Sequence, residues 1–176
     1  LGDVYKRQHQ EADRLVALIN DILRLSQLDE GGALPHEQVS VLELTQEAAR
    51  SLTAQAAAQA VHISVTGTAG TVFGVRRLLY EIARNLCENA VKYNVPGGSV
   101  TVEVAETDRD VALLVRDTGI GIPEGDQSRV FERFYRVDKS HSRAIGGTGL
   151  GLSIVKHAVA YHHGTLRLES QLGKGT

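Results

Sequence analysis

The chain has 176 residues, enough for one domain and an appendage, and its 42% hydrophobic and 23% charged residues are ordinary for a protein with a packed core. A formal net charge of -2 gives no general electrostatic reason to bind nucleic acid or anionic lipid. A single cysteine, Cys87, excludes an internal disulfide and suits a reducing compartment, and no apolar run approaches the roughly 18 residues that span a bilayer.

Residues 3 to 8 resemble the translation of a transposon-end sequencing adapter, so residues 1 to 8 are read as non-native; a natural exposed helix start is the alternative. From 9 to 28 the spacing predicts a helix. Leu15, Leu18, Ile22 and Leu25 form a coiled-coil-like seam, which Ile19 and Leu28 widen. Such a stripe needs partner helices, so residues 9–30 are expected to be one half of a helical hairpin. Packing on the chain's own core is the alternative. Gly31, Gly32 and Pro35 mark a linker over 31–39, and the main domain is expected over 40–176.

Ser40 followed by Glu43 is a capping-box signature that opens a helix over 41–59. Alternation at Ile63 and Val65 predicts a strand over 62–66. Residues 75–94 read as a helix with Leu79, Ile82, Leu86 and Ala90 on its apolar face. Val100, Val102 and Val104, then Val111, Leu113 and Val115, alternate about a polar turn at 108–110 and predict a β-hairpin. A glycine-rich loop follows at 118–125, then a short helix at 127–135 with Phe131 and Phe134. A polar stretch at 136–147, a helix at 149–162 and a strand at 165–170 complete the chain. This mixed order predicts an α+β fold: a two-layer α/β sandwich whose mixed, mainly antiparallel sheet is covered by helices on one face.

Asn85, Asn89 and Lys92 share one helix face. Asparagine is a mediocre helix former, an amide oxygen is a ligand for Mg²⁺, and an ammonium neutralises phosphate. A plain solvated face is the alternative. Asp117 ends an apolar strand, and a half-buried carboxylate needs donors such as a purine amine. Gly119 and Gly121 let a flat base approach the backbone; a simple Asp-Gly turn is the alternative. Gly147, Thr148, Gly149, Leu150 and Gly151 open a helix, where free N–H groups suit an anion. The segment fits neither a Walker A loop nor a dinucleotide fingerprint.

Jointly these segments resemble the histidine-kinase ATPase domain, which is grouped with the ATPases of DNA gyrase, mismatch-repair proteins and the large heat-shock chaperone. Asn85 to Tyr93 resembles its asparagine box and Asp117 to Gly121 its first glycine box. Phe131 to Arg136 resembles its aromatic box and Gly147 to Gly151 its second glycine box. The resemblance covers about residues 40–176. Residues 131–142 with 146–157 are similar to phosphate-regulon-type sensor kinases of Gram-positive bacteria, and residues 14–26 resemble the second helix of the family's dimerisation and phosphoacceptor hairpin.

The resemblance implies ATP and Mg²⁺ as cofactors. It implies Asn89 as metal ligand, Asn85 beside the phosphates, Lys92 on them, Tyr93 against the nucleotide and Asp117 on the adenine amine. Gly119 and Gly121 would border the base, Arg136 would reach the terminal phosphate, and residues 136–147 would be a lid hinged at Gly147, Gly149 and Gly151. Asn85, Lys92 and Arg136 are the expected catalytic residues. A homodimer through the hairpin, a response-regulator receiver domain as partner, no nucleic acid, and a cytoplasmic location below a membrane anchor encoded upstream are implied too.

The chain departs from the family pattern in several places. His9, His36, His62, His141, His157, His162 and His163 all lack the phosphoacceptor's neighbours, and Val75 stands where the family often has aspartate. Gly173 to Thr176 resembles the last glycine motif, and the edge strand expected after it lies outside the sequence. Asn85 occupies the place where gyrase-like members carry a water-activating glutamate, which favours phosphotransfer to protein over efficient hydrolysis. A serine-phosphorylating or ATP-hydrolysing relative, and a binding module without catalysis, are the alternatives.

Overall fold

A computed structural model describes residues 2–29, 34–137 and 147–176. Helix α1 (Gly2–Asp29) starts well before residue 9, because residues 2–8, which the sequence reading set aside, contain no breaker beyond Gly2. Strand β1 (Glu37–Ser40) begins inside the expected linker and pairs antiparallel with β3 (Thr71–Gly74). Gly31 and Gly32 lie outside the described residues.

The expected helix over 41–59 is two helices, α2 (Val41–Ser51) and α3 (Thr53–Ala58). Ser40 Oγ accepts the Glu43 N–H at 3.3 Å and starts α2 as the capping signature predicts. The break at Leu52 coincides with two hydroxyls that take helix carbonyls: Ser51 Oγ donates to Ala48 O at 2.6 Å and Thr53 Oγ1 to Arg50 O at 2.9 Å. β2 (His62–Gly67) follows, then β3 and α4 (Arg76–Lys92). The buried face of α4 is Leu78, Ile82, Ala83, Cys87, Ala90 and Val91, with Leu79 and Leu86 at its margins. This face is wider than the predicted stripe because α2, the sheet and a later helix all pack on it.

The predicted hairpin is β4 (Ser99–Glu106) and β5 (Val111–Asp117). Thr107 shapes its turn: its N–H donates to Asp110 O at 2.8 Å and its Oγ1 accepts from Asp110 N at 3.1 Å. β4 is central, parallel to β2 and antiparallel to β5, and Val100, Val102 and Val104 are fully buried beneath the helices. Asp117 stands opposite Val100 and is in phase with the inward residues Val111, Leu113 and Val115. The carboxylate therefore ends a core-facing row.

Two predicted elements are corrected. The helix expected at 127–135 is the short α5 (Glu124–Gln127) followed by turns. Pro123 starts it early, and Gln127 Nε2 donates to Ile122 O and Ser170 O rather than continuing a helix face. Residues 165–170 alternate in exposure as a strand would, but no ladder pairs them among the described residues. The last helix, α6 (Gly151–Tyr161), lies along α4 and α1.

Of the α1 seam, Leu25 is buried against Leu150 and Ile154, with Leu18 alongside. Leu15, Val16, Ile19, Ile22 and Leu23 are exposed. Part of the helix thus packs on the chain's own core, as the alternative reading expects, and the rest of the seam is exposed.

Candidate functional site

The C-terminal turns of α4 and the 117–121 loop are locked together. Ile120 N–H donates to Tyr93 O at 3.0 Å, and Thr118 Oγ1 donates to Asn94 Oδ1 at 3.4 Å. At Gly119 a side chain is excluded, since a Cβ would stand 2.3 Å from Tyr93 O and 2.9 Å from Asp117 Oδ1. Gly121 lies against the backbone of Gln171. Asp117 Oδ1 accepts from Gly119 N–H at 2.8 Å, and the Asp117 N–H donates to Thr176 O at 2.8 Å. Burial raises the Asp117 carboxyl above the usual carboxylate range, and hydrogen bonds to it from the backbone of Gly119 and Thr176 only partly offset that.

A second cluster forms around the 147–151 segment. A Cβ on Gly147 would stand 3.3 Å from Lys92 Nζ, 3.3 Å from the Tyr93 hydroxyl and 3.6 Å from Arg136 Nη2. A Cβ on Gly151 would stand 2.9 Å from Asn85 Oδ1. Lys92, Tyr93 and Arg136 are thus brought to Gly147, and Asn85 to Gly151. Desolvation lowers the Lys92 ammonium, with Arg136 adding to the effect while Glu88 and Asp21 oppose it. Desolvation likewise raises the Tyr93 phenol, and Arg136 opposes it.

Asn89 is half-buried one turn before Tyr93, and its side chain makes no hydrogen bond among the described residues. Among those residues no group of three or more His, Cys, Asp and Glu could hold a metal ion. The Asn89 amide oxygen is of the type that a hard cation takes as ligand. Thr148 turns its hydroxyl to Asp21 Oδ2 at 2.7 Å, and Leu150 is buried in the contact with α1.

Gly149 has φ +76 and carries Phe134 against it: Phe134 N–H donates to Gly149 O at 2.9 Å. Phe134 itself adopts φ +64 to make this contact. The expected lid lies mostly at 138–146, outside the described residues. A cleft of about 370 Å³ lined by Arg129, Glu132, Arg133, Phe134, Tyr135 and Arg136 reaches Arg136 but neither Asn89 nor Asp117.

The polar stripe also runs further back than the sequence reading took it. Glu81, buried and four residues before Asn85, belongs to it, and so do Arg24 and Asp21 from α1. The i−4 spacing of Glu81 from Asn85 was the available signal; the α1 residues carried none. Val75 replaces the expected acidic cap of α4 in another way. Its side chain joins the core beside Leu78 and Val155, and its N–H donates to His162 Nε2 at 3.0 Å.

Residues 74–176 match the family described as histidine kinase-, DNA gyrase B-, and HSP90-like ATPase. The chain belongs to this family. Among curated relatives of this ATPase family, it is 42% identical over 170 residues to the sensor-like histidine kinase SenX3 of Mycolicibacterium smegmatis, an alignment covering 94% of this chain and 44% of the relative. It is 34% identical over 179 residues to the sensor histidine kinase WalK of Bacillus subtilis, covering 94% and 28%. The chain thus spans less than half the length of these relatives. Among solved structures, the mycobacterial sensor histidine kinase MprB superposes with a TM-score of 0.64 at 32% identity, over 73% of this chain and 81% of that one. Full-length ShkA in complex with AMPPNP superposes with a TM-score of 0.82 at 26% identity, over 98% and 36%. The fold is that of histidine-kinase catalytic domains.

Proposed function

We propose that the chain is the ATP-binding catalytic part of a two-component sensor histidine kinase. It would transfer the γ-phosphoryl group of ATP to a histidine on a dimerisation helix outside this sequence, for relay to a response-regulator receiver domain. The observation that carries this reading is the convergence on Gly147 of Lys92, Tyr93 and Arg136, next to the Asn85–Gly151 contact. Three donors converge on one glycine backbone, an arrangement that suits phosphate oxygens. That a structural neighbour, ShkA, is solved in complex with AMPPNP supports nucleotide binding by this fold.

Asp117 would accept the adenine amine; guanine would present a carbonyl and leave the carboxylate unpaired. Asn89 would hold Mg²⁺ through its amide oxygen, and that ion would supply charge neutralisation on the phosphates. Lys92 and Arg136 would hold the phosphate oxygens as negative charge builds, and Tyr93 would shield the nucleotide from water. In the transfer, the bond from the γ-phosphorus to the bridging oxygen breaks, a phosphorus–nitrogen bond forms, and ADP leaves. The acceptor imidazole is already a nucleophile, so no base is required of this chain, and Asn85 supplies none.

The exposed leucine and isoleucine face of α1 supports dimerisation through a helical hairpin. Among the described residues no helix is long and apolar enough to cross a membrane, so attachment to a membrane is assigned to upstream segments. The test mixes the chain with a separate acceptor hairpin and ATP labelled on the γ-phosphate. Acid-labile label on the hairpin is expected. An acid-stable product, or label released only as phosphate, would replace this reading with a serine kinase or an ATPase.

A further inference from the structure

We infer that Glu81 is a positioning residue that sets which way the Asn85 amide faces, and that Arg24 of α1 makes this setting depend on where α1 lies. The inference rests on reading Asn85 as a phosphate-side residue, where an amide oxygen would meet the magnesium that accompanies the phosphates and not the phosphate oxygens themselves.

Glu81 is 8% exposed, and a carboxylate that deep in a helix face needs partners. It has two. Arg24 Nη1 and Asn85 Nδ2 each lie 3.3 Å from the same oxygen, Oε2. Asn85 Nδ2 also donates to the backbone carbonyl of Glu81 at 2.8 Å. An amide has its donors on one side and its acceptor on the other, so holding Nδ2 twice turns Oδ1 away. That oxygen points at Gly151, the first residue of α6. A flipped amide would present its NH₂ group there instead of an oxygen ligand.

The bond to the backbone carbonyl is available to many helical asparagines. The carboxylate is what makes the orientation specific, and it is buried with one guanidinium as counter-charge. Arg24 comes from α1, where it also pairs with Asp21 at 3.5 Å. Withdrawing α1 would remove that cation and leave the Asn85 amide as the carboxylate's remaining donor among the described residues. The placement of α1 and the orientation of Asn85 are therefore linked, and by reciprocity a ligand that engages Asn85 Oδ1 favours the docked helix.

The test measures Mg²⁺-dependent affinity of the 176-residue chain for a non-hydrolysable ATP analogue by calorimetry, with a melting curve for every variant. Glu81→Ala should weaken binding about tenfold, the scale of one charged hydrogen bond. Glu81→Gln keeps a carbonyl acceptor for Asn85 and should stay within about twofold of the parent. Arg24→Ala should weaken the parent severalfold yet leave Glu81→Gln unchanged. A merely structural role would move melting and affinity together, and the two substitutions would add.

Full affinity in Glu81→Ala, or an equal Arg24→Ala effect with and without Glu81→Gln, would overturn the inference. If Glu81→Ala does not fold, the Glu81→Gln and Arg24→Ala pair decides alone. Asn85→Ala separates the two levels: unchanged binding there sinks the reading of Asn85 itself. Weakened binding there, with normal binding in Glu81→Ala, sinks only the role given to Glu81.

Discussion

Thr148 donates its hydroxyl to Asp21 Oδ2 at 2.7 Å, joining residues 127 positions apart in the chain. The same carboxylate opposes the lowering of the Lys92 ammonium by burial. One negative charge from α1 thus sits on the glycine segment and near the lysine read as a phosphate contact. Asp21→Asn keeps a carbonyl acceptor for Thr148 but removes that charge. Affinity for an ATP analogue should rise roughly threefold at low salt, and the gain should shrink as salt screens it. Unaltered or weaker binding at low salt would show that the charge is not felt at the site.

Asp117 yields a pH prediction with a definite sign. Its carboxyl is raised by burial, so the ionised form that accepts an amine is lost at a higher pH than for an ordinary aspartate. Nucleotide affinity should fall as the pH drops through that raised value. Asp117→Asn should lower affinity at pH 7 by about tenfold or more and abolish this acidic limb. Because the fold disfavours the charged form, the substitution should not lower the melting temperature. A parallel pH dependence in the variant would assign the limb to another group.

Gly151→Ala separates stability from function. Alanine in a helix is favoured over glycine by roughly 0.5–1 kcal/mol. The added Cβ would stand 2.9 Å from Asn85 Oδ1, so the amide must move. The variant should melt no lower than the parent while binding the analogue severalfold more weakly. A crystal structure of the variant with Asn85 undisturbed would remove the explanation.

Asn89→Ala removes a side chain with no hydrogen-bond partner among the described residues. Its stability change should stay within about 0.5 kcal/mol, as for an exposed position. Titrations with and without Mg²⁺ should then give the same affinity, whereas the parent binds more tightly with the ion. Retained magnesium dependence would move the cation to a different residue, with Asn85 the first to examine.

Much of the candidate site was legible because its residue pattern is local. Asn85, Asn89 and Lys92 declare themselves by residue type at helical spacing, and Asp117 by ending an alternating strand. The four-residue strands β1 and β3 were not legible, because so short an alternation does not stand out and their pairing spans more than 30 residues. Glu81 was not legible as a buried residue, because its ion-pair partner Arg24 lies 57 positions away in the chain. The turns after α5 were hidden by Phe134, whose left-handed backbone is fixed by Gly149 and not by its neighbours in sequence. Tertiary contact, not local propensity, decided each of these.

Helix α1 has two working sides: Leu18 and Leu25 grip Leu150 and Ile154, while Leu15, Ile19, Ile22 and Leu23 look outward. Successive residues on such a rod are about 100° apart, so a roll of that size about its axis would exchange the seated face for an outward one. Any such rotation would be felt first at Leu150, the chain neighbour of Gly151.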